Sequence, residues 1–494
     1  MAGAEPTVVV AAPARRAARP LEGAERTLAA DLLRLVGPDV LSRAARHGRR
    51  GVLEEIDRRI AAIDRLLGAQ VHEILHHPRF QALEASWRGL RYLTRNIEGR
   101  ERLRVRMLPL GWAELARDLD RAAEFDQTQL FRKIYEDEFG TPGGEPFGLI
   151  IADYYVQHRP GRSGVDDVAV LRGLAGVGAA SFCPILLAAA PALFGLDSFR
   201  ELHPTLDLGR LFQQREYARW RAVQREEDTR FLGILLPQIL MRRPLADMER
   251  VDRFRFEENA GASDGSEWLW GHPGYAFASI VMRAFADSGW FADIRGTRPD
   301  DLRGGLVTDL PQADFSTDSP GVAVRQPLPV SLSDTQERML SELGFIPLSM
   351  SPYTPFAIFY TNQSLWRSDE GRRGVARINA RMSSMLNYVL CISRFAHYIK
   401  VIGRDAVGSF MTAKECESLL QSWLQGYSMT PSGTRRSIDL LAKYPLSEAR
   451  VQVREVPSKP GSYACTVHLK PHYQLDDVVS TFRLTTEIAP ARPG

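Results

Sequence analysis

Histidine, glutamate and cysteine are the side chains best able to hold a metal or attack a substrate, and one pattern of them stands out. His72-Glu73-Ile74-Leu75-His76 reads HExxH. On a helix, two histidines four apart share a face and can bind zinc, while the glutamate polarises a water. A catalytic zinc needs three protein ligands, and only two are visible. No third histidine follows at metzincin spacing, nothing around Glu98 supports a ligand role, and Pro78 stops the helix at once. The expectation is therefore a solvated helix end, with His77 near the cap of the next helix and a zinc peptidase as the alternative.

Other chemistry is weaker. There is no GxSxG elbow and no Walker A sequence, and Cys183 precedes Pro184 in an apolar run that disfavours a thiolate. Gly176-Val-Gly178 is half of a dinucleotide fingerprint, but it falls inside a predicted helix instead of opening one after a strand. Close helix packing accounts for it better. Residues 268–273 (WLWGHP), with Trp290, could stack a base or a sugar, so a carbohydrate or nucleotide binder is a second alternative. Large aromatics dominate burial, and core anchors are the expected role. No catalytic, cofactor-binding or metal residue is assigned, and no cofactor is expected.

The elements that would position these groups belong to a globular chain. Across 494 residues, 44% are hydrophobic and 25% charged, which excludes disordered and fibrous classes and suggests several domain-sized lobes. The net charge of +3 is too small for wrapping nucleic acid or coating a membrane. Nine arginines against five acids put +4 in the first 50 residues and leave the rest at −1. Four scattered cysteines without a CxxC pair fit a reducing, cytoplasmic setting. Pro6, Pro13, Arg15, Arg16 and Arg19 interrupt any secretory apolar stretch. Residues 173–196 are uncharged and long enough to span a bilayer, but Gly173, Gly176, Gly178, Pro184, Pro191 and Gly195 argue for a small-residue helix (168–180) feeding a buried strand (183–189).

The chain reads as four segments. Residues 1–50 form an Arg/Ala-rich flexible tail with a short amphipathic helix at 25–36, on which Leu28, Leu32, Leu33 and Val36 share a face. Residues 51–95 form a helical hairpin, with one stripe of Leu53, Ile56, Ile60, Ile63, Leu67, Val71 and Ile74 and another of Phe80, Leu83, Trp87, Leu90 and Leu93. Residues 96–430 form the main α/β body, with strands at 147–155, 183–189 and 355–361 and helices at 168–180, 216–228, 275–285 and 379–425. Within it, 332–343 is a helix capped by Ser333 and carrying Asp334, Glu337 and Glu342. Residues 431–494 are β: alternating strands at 448–456 and 463–470 around the turn 457–462, then a strand at 481–488. The fold class is α/β, with mixed α+β character.

Several stretches then add up to a family. Residues 76–90 (HHPRFQALEASWRGL), 143–147 (GGEPF), 231–233 (FLG), 268–278 (WLWGHPGYAFA), 344–348 (GFIPL), 393–400 (SRFAHYIK), 459–463 (KPGSY) and 469–474 (LKPHYQ) occur in order. The chain closely resembles the TssC/VipB family, the large subunit of the type VI secretion contractile sheath. The resemblance implies a structural protein, not an enzyme, with a multi-lobed contractile tail-sheath-like fold whose C-terminal β-hairpin serves inter-subunit sheet sharing. It implies as partners a small sheath subunit (TssB/VipA-like), an inner-tube hexamer protein (Hcp-like), neighbouring copies in a helical lattice, a baseplate and a Clp-type AAA+ unfoldase, with no nucleic acid and no membrane span. It also assigns roles. Strand residues Arg450, Val451, Val453, Val456, Tyr463, Cys465, Val467 and Leu469 would pair with strands of other subunits. Asp334, Glu337 and Glu342 would face basic groups of the tube, and Leu28, Leu32, Leu33 and Val36 would fill an unfoldase groove.

Overall fold

The structure, a computed structural model, describes residues 23, 34, 42, 46, 48–97, 102–141, 143–161, 164–245, 254, 256, 258, 268–298, 301–312, 326–351, 354–368, 375–407, 412–429, 438–455, 463–472 and 482–488. They fall into two compact units, residues 1–75 with 245–258, and residues 76–244 with 259–494.

The first unit is dominated by helix α1 (Gly48–Leu75). Ion pairs one turn apart support it: Arg50 with Glu54 at 3.0 Å, and Arg59 with Glu55 at 3.0 Å. Its apolar stripe faces water, with Leu53, Ile56, Ile60, Ile63, Leu67 and Ile74 all exposed. In the same unit the Glu258 carboxylate accepts a hydrogen bond from the Leu245 amide at 2.7 Å.

The second unit opens with α2 (Pro78–Ile97) and α3 (Trp112–Arg121). The large apolar stripe of α2 is not its buried face. Phe80, Leu83 and Trp87 are exposed, Leu90 is half-buried, and the helix buries Ala85, Gly89 and Leu93 instead. Polar side chains hold that face: Glu84 pairs with the buried Arg242 at 2.8 Å, Ser86 donates to Asp153, and the Tyr92 hydroxyl donates to the Thr308 carbonyl at 3.0 Å. Gly89 is needed there because a Cβ would stand 2.3 Å from the Tyr275 ring.

Behind it lies a parallel sheet in the order β1 (Ile150–Val156), β2 (Ile185–Ala189), β3 (Leu232–Leu236) and β4 (Ile346–Pro347). Strands that are buried on both faces read as continuous apolar runs, as in ILLAA and LGILL. The period of two then sorts their side chains. Ile185, Leu187 and Ala189, with Leu232, Ile234 and Leu236, enter one core, and Leu186 and Leu235 enter the other. Parallel neighbours need crossovers, and right-handed crossovers running in one direction place their helices on one face. That face carries α4 (Asp167–Ser181) and the aromatic cluster of Phe194, Phe212, Tyr217, Trp220 and Phe345. The opposite face is covered by α5 (Gly274–Ser288). The strand expected at 147–155 and the helix and strand expected at 168–180 and 183–189 match β1, α4 and β2. β3 was not expected, and the strand expected at 355–361 contracts to Ala357–Ile358, between Leu306–Val307 and Ser349–Met350.

Helix α6 (Asp334–Glu342) leads into β4. The predicted Ser333 cap is there, and its hydroxyl accepts the Gln336 amide at 3.3 Å. The long helical region at 379–425 divides into a helix at Val375–Ser383, α7 (Leu386–Val407) and α8 (Ala413–Gln425). The chain then forms an antiparallel sheet of β5 (Leu446–Glu455), β6 (Tyr463–Pro471) and β7 (Phe482–Ile488), with β6 in the middle. Leu446, Val451, Val453, Cys465, Val467 and Leu469 share a core with Phe395 and Ile399 of α7 and with Cys416, Leu420 and Leu424 of α8. This packing reaches back well before residue 431.

Candidate assembly surfaces

The groups that looked most chemical are dispersed or buried. α1 ends at Leu75, so His76 does not continue the helix that carries His72. Among the described residues, no three His, Cys, Asp or Glu side chains form a group able to hold a metal ion. All four cysteines are buried, and burial pushes the Cys391 thiol up to about 11 and the Cys465 thiol up to about 12. Trp268 packs with Leu240 and Trp270, whereas Trp290 stacks on Phe395 at 4.2 Å in a different core. The aromatic residues therefore make no common platform. Gly176 and Gly178 serve packing: a Cβ on Gly176 would lie 2.8 Å from the Phe125 ring, and one on Gly178 3.1 Å from the Cys183 carbonyl oxygen. Two buried histidines are held neutral. Burial lowers His272 to about 4 against a partly opposing Asp153, and lowers His397 to about 4 although its Nε2 lies 3.0 Å from the Ser181 carbonyl oxygen.

The acidic helix is less uniform than its sequence. Asp334 and Glu342 are exposed, but Glu337 is half-buried and accepts the Thr361 hydroxyl at 2.9 Å. Desolvation raises the Glu337 carboxyl, with Thr361 and Arg381 opposing the shift. Leu28, Leu32, Leu33 and Val36 lie outside the described residues, as does Val456.

In the C-terminal sheet, Val451, Val453, Cys465, Val467 and Leu469 point into the core and Arg450 points out; Tyr463 is half-buried. The two long edges of β6 are both taken within the chain, so any further strand would have to add to the outer side of β5 or β7. The outer side of β5 is occupied. The Leu446 amide donates to the Tyr427 carbonyl at 3.3 Å and the Met429 amide to the Leu446 carbonyl at 2.9 Å. Further along, the Gln421 amide nitrogen donates to the Ala449 carbonyl at 2.9 Å, its oxygen accepts the Val451 amide at 2.9 Å, and Glu417 accepts the Val453 amide at 2.9 Å. Among the described residues, no strand pairs with the outer side of β7. Gln421 and Glu417 were not singled out from sequence. The available signal was a polar i,i+4 pair beside the buried Cys416, Leu420 and Leu424 on one helix.

A family model described as the EvpB/VC_A0108 tail sheath N-terminal domain (VipB) matches residues 57–366, and one described as the EvpB/VC_A0108 tail sheath gpW/gp25-like domain (VipB_2) matches residues 375–488. The chain belongs to the VipB sheath family. It is 38% identical over 443 residues to the type VI secretion system sheath protein TssC1 of Pseudomonas aeruginosa, covering 89% of this chain and 87% of that protein. A chain of the anti-feeding prophage baseplate is similar at 10% identity and a TM-score of 0.31, over 66% of this chain and 63%, just under two thirds, of that one. As a VipB-family member, the chain is a structural subunit of a type VI secretion contractile sheath. No described helix is long and apolar enough to cross a membrane.

Proposed function

We propose that this chain is the large, non-enzymatic sheath subunit, that it pairs in the cytoplasm with a small sheath subunit, and that the heterodimers stack as a helical tubule around an inner tube which contraction expels. The observation that carries the assembly reading is the C-terminal sheet, whose β7 has, among the described residues, no strand on its outer side and so offers an edge for main-chain pairing. Strand addition there gains backbone hydrogen bonds without fixing side-chain identity, so subunits can stay joined while their bodies rotate.

We place the joint on β7, where the sequence reading names β5 and β6, because β5 and β6 pair with each other within the chain. The Val451 amide points away from β6, toward Gln421, so Val451 and Val467 face each other without exchanging hydrogen bonds. Val467 then bonds to Leu484 in β7, and the Arg483, Thr485 and Glu487 amides turn outward. Thr485→Pro removes an outward donor and spares the internal ladder. Coexpressed with the small sheath subunit, the unsubstituted chain should give tubules in electron micrographs and the Thr485→Pro chain only heterodimers. Tubules of normal length from that variant would refute joining through β7.

A second surface fits the small subunit itself. Leu53, Ile60, Leu67 and Ile74, alternating with Ile56 and Ile63, follow a seven-residue repeat on the exposed side of α1. A 3.5-residue period selects a helix as the covering element, packed as knobs into holes. Asp334 and Glu342 would meet the tube through weak, salt-screened contacts that can release during contraction. Glu337, held by Thr361, would position that helix instead. Leu28, Leu32, Leu33 and Val36 remain the segment proposed for a Clp-type unfoldase, and end contacts with a baseplate belong to the same proposal.

A further inference from the structure

We propose that Gln421 and Glu417 act as a false strand that closes the β5 edge, so that strand addition to the C-terminal sheet is directed to one side only. This deepens the strand-addition reading and names the residues that give it polarity.

The geometry supports a fitted device. Four residues of helix rise about 6 Å and two residues of strand about 6.8 Å. Side chains at i and i+4 of α8 can therefore meet outward groups at i and i+2 of β5. Gln421 does so at Ala449 and Val451, and Glu417 does so at Val453. The primary amide of Gln421 carries both a donor and an acceptor, so it reproduces the pair of bonds that a neighbouring strand would make. Tyr427 and Met429 continue the same row at Leu446. From Leu446 to Val453, the outward backbone groups named here are all satisfied within the chain. An extended strand edge left bare is a template for indiscriminate pairing, and covering it is how natural sheets avoid that outcome. In a protein that presents one edge for joining, a second bare edge on the same sheet would compete for the same incoming strands.

The core side of α8 is made by Cys416, Leu420 and Leu424, so truncating Gln421 and Glu417 removes the edge contacts without opening that core. The test uses the purified full-length chain carrying Gln421→Ala with Glu417→Ala, compared with the unsubstituted chain at matched concentration. Light scattering should show a several-fold rise in mean particle mass, with the far-ultraviolet circular dichroism unchanged. Adding Val453→Pro to the double variant removes an outward amide that no strand of the chain uses, and should return the mass to that of the unsubstituted chain. A double variant that stays dispersed, or association that Val453→Pro leaves in place, would overturn the proposal. The Thr485→Pro experiment reads the other edge. If tubules survive it, joining at β7 fails while the result at β5 still stands on its own.

Discussion

Helices α4 and α1 are both rich in aliphatic residues, and they meet opposite fates. α4 carries no charge after its first turn apart from Arg172, and it buries residues on nearly every side, including Gly176 and Gly178. α1 alternates apolar and charged residues as a core-facing helix should, yet seven of its large aliphatic side chains are exposed. A helix apolar all round can only be finished inside its own domain. An amphipathic stripe with a seven-residue period can be finished by another polypeptide. Amphipathicity thus reports that a face will be covered, and it leaves open which molecule does the covering.

The contrast can be broken at the α4 end first. Leu171 is fully buried, so Leu171→Ala should cost about 2–5 kcal/mol in chemical denaturation. A loss below about 1 kcal/mol would mean that this core relaxes freely.

The C-terminus of α4 also holds a pH-sensitive tie, since His397 of α7 reaches the Ser181 carbonyl oxygen. Its folded-state value near 4 lies below the ordinary 6.5, mainly through burial, with Lys400 and Arg394 pushing the same way. The unfolded chain therefore takes up the proton first. The contribution is intact above pH 6.5 and is lost as pH falls towards 4, on the order of 3 kcal/mol. His397→Gln should flatten the stability profile in that window, and an unchanged slope would assign acid sensitivity elsewhere.

Gly176→Ala pushes a methyl toward the Phe125 ring and should cost about 1–3 kcal/mol, checked by thermal melting. The smallest effect on the chain itself belongs to α1. Ile60→Ser should change its stability by no more than about 0.5 kcal/mol, because the side chain is already half exposed. Co-purification with the small sheath subunit should nevertheless fall sharply. Equal recovery of the partner would leave the α1 stripe unexplained.

Much of the fold is legible in the sequence. The apolar runs of β1 and β2, the small-residue helix between them, the Ser333 cap and the three C-terminal strands are set by local rules: period, turn residues and caps. β3 is not legible, because LGILL is too short to separate from a buried helical segment by periodicity alone. Which side of α2 is buried is not legible, because hydropathy weights Trp87 over Gly89, whereas close approach to Tyr275 needs the glycine. Alternation names the strands at 448–456 and 463–470 and cannot order them, so that β6 is central and β7 lies beside it is not written in the pattern.

By itself, the sequence determined the family, the mixed α/β grammar and the absence of any complete catalytic motif, because these rest on residues close together in the chain or recurring in fixed order. Only the tertiary structure decided that Glu337 is tied to Thr361, that β6 is central, and that Gln421 and Glu417 seal β5. Each of those depends on backbone groups meeting side chains from distant segments. A hydrogen bond has a direction and a reach of about 3 Å, which no pattern along a single strand or helix encodes.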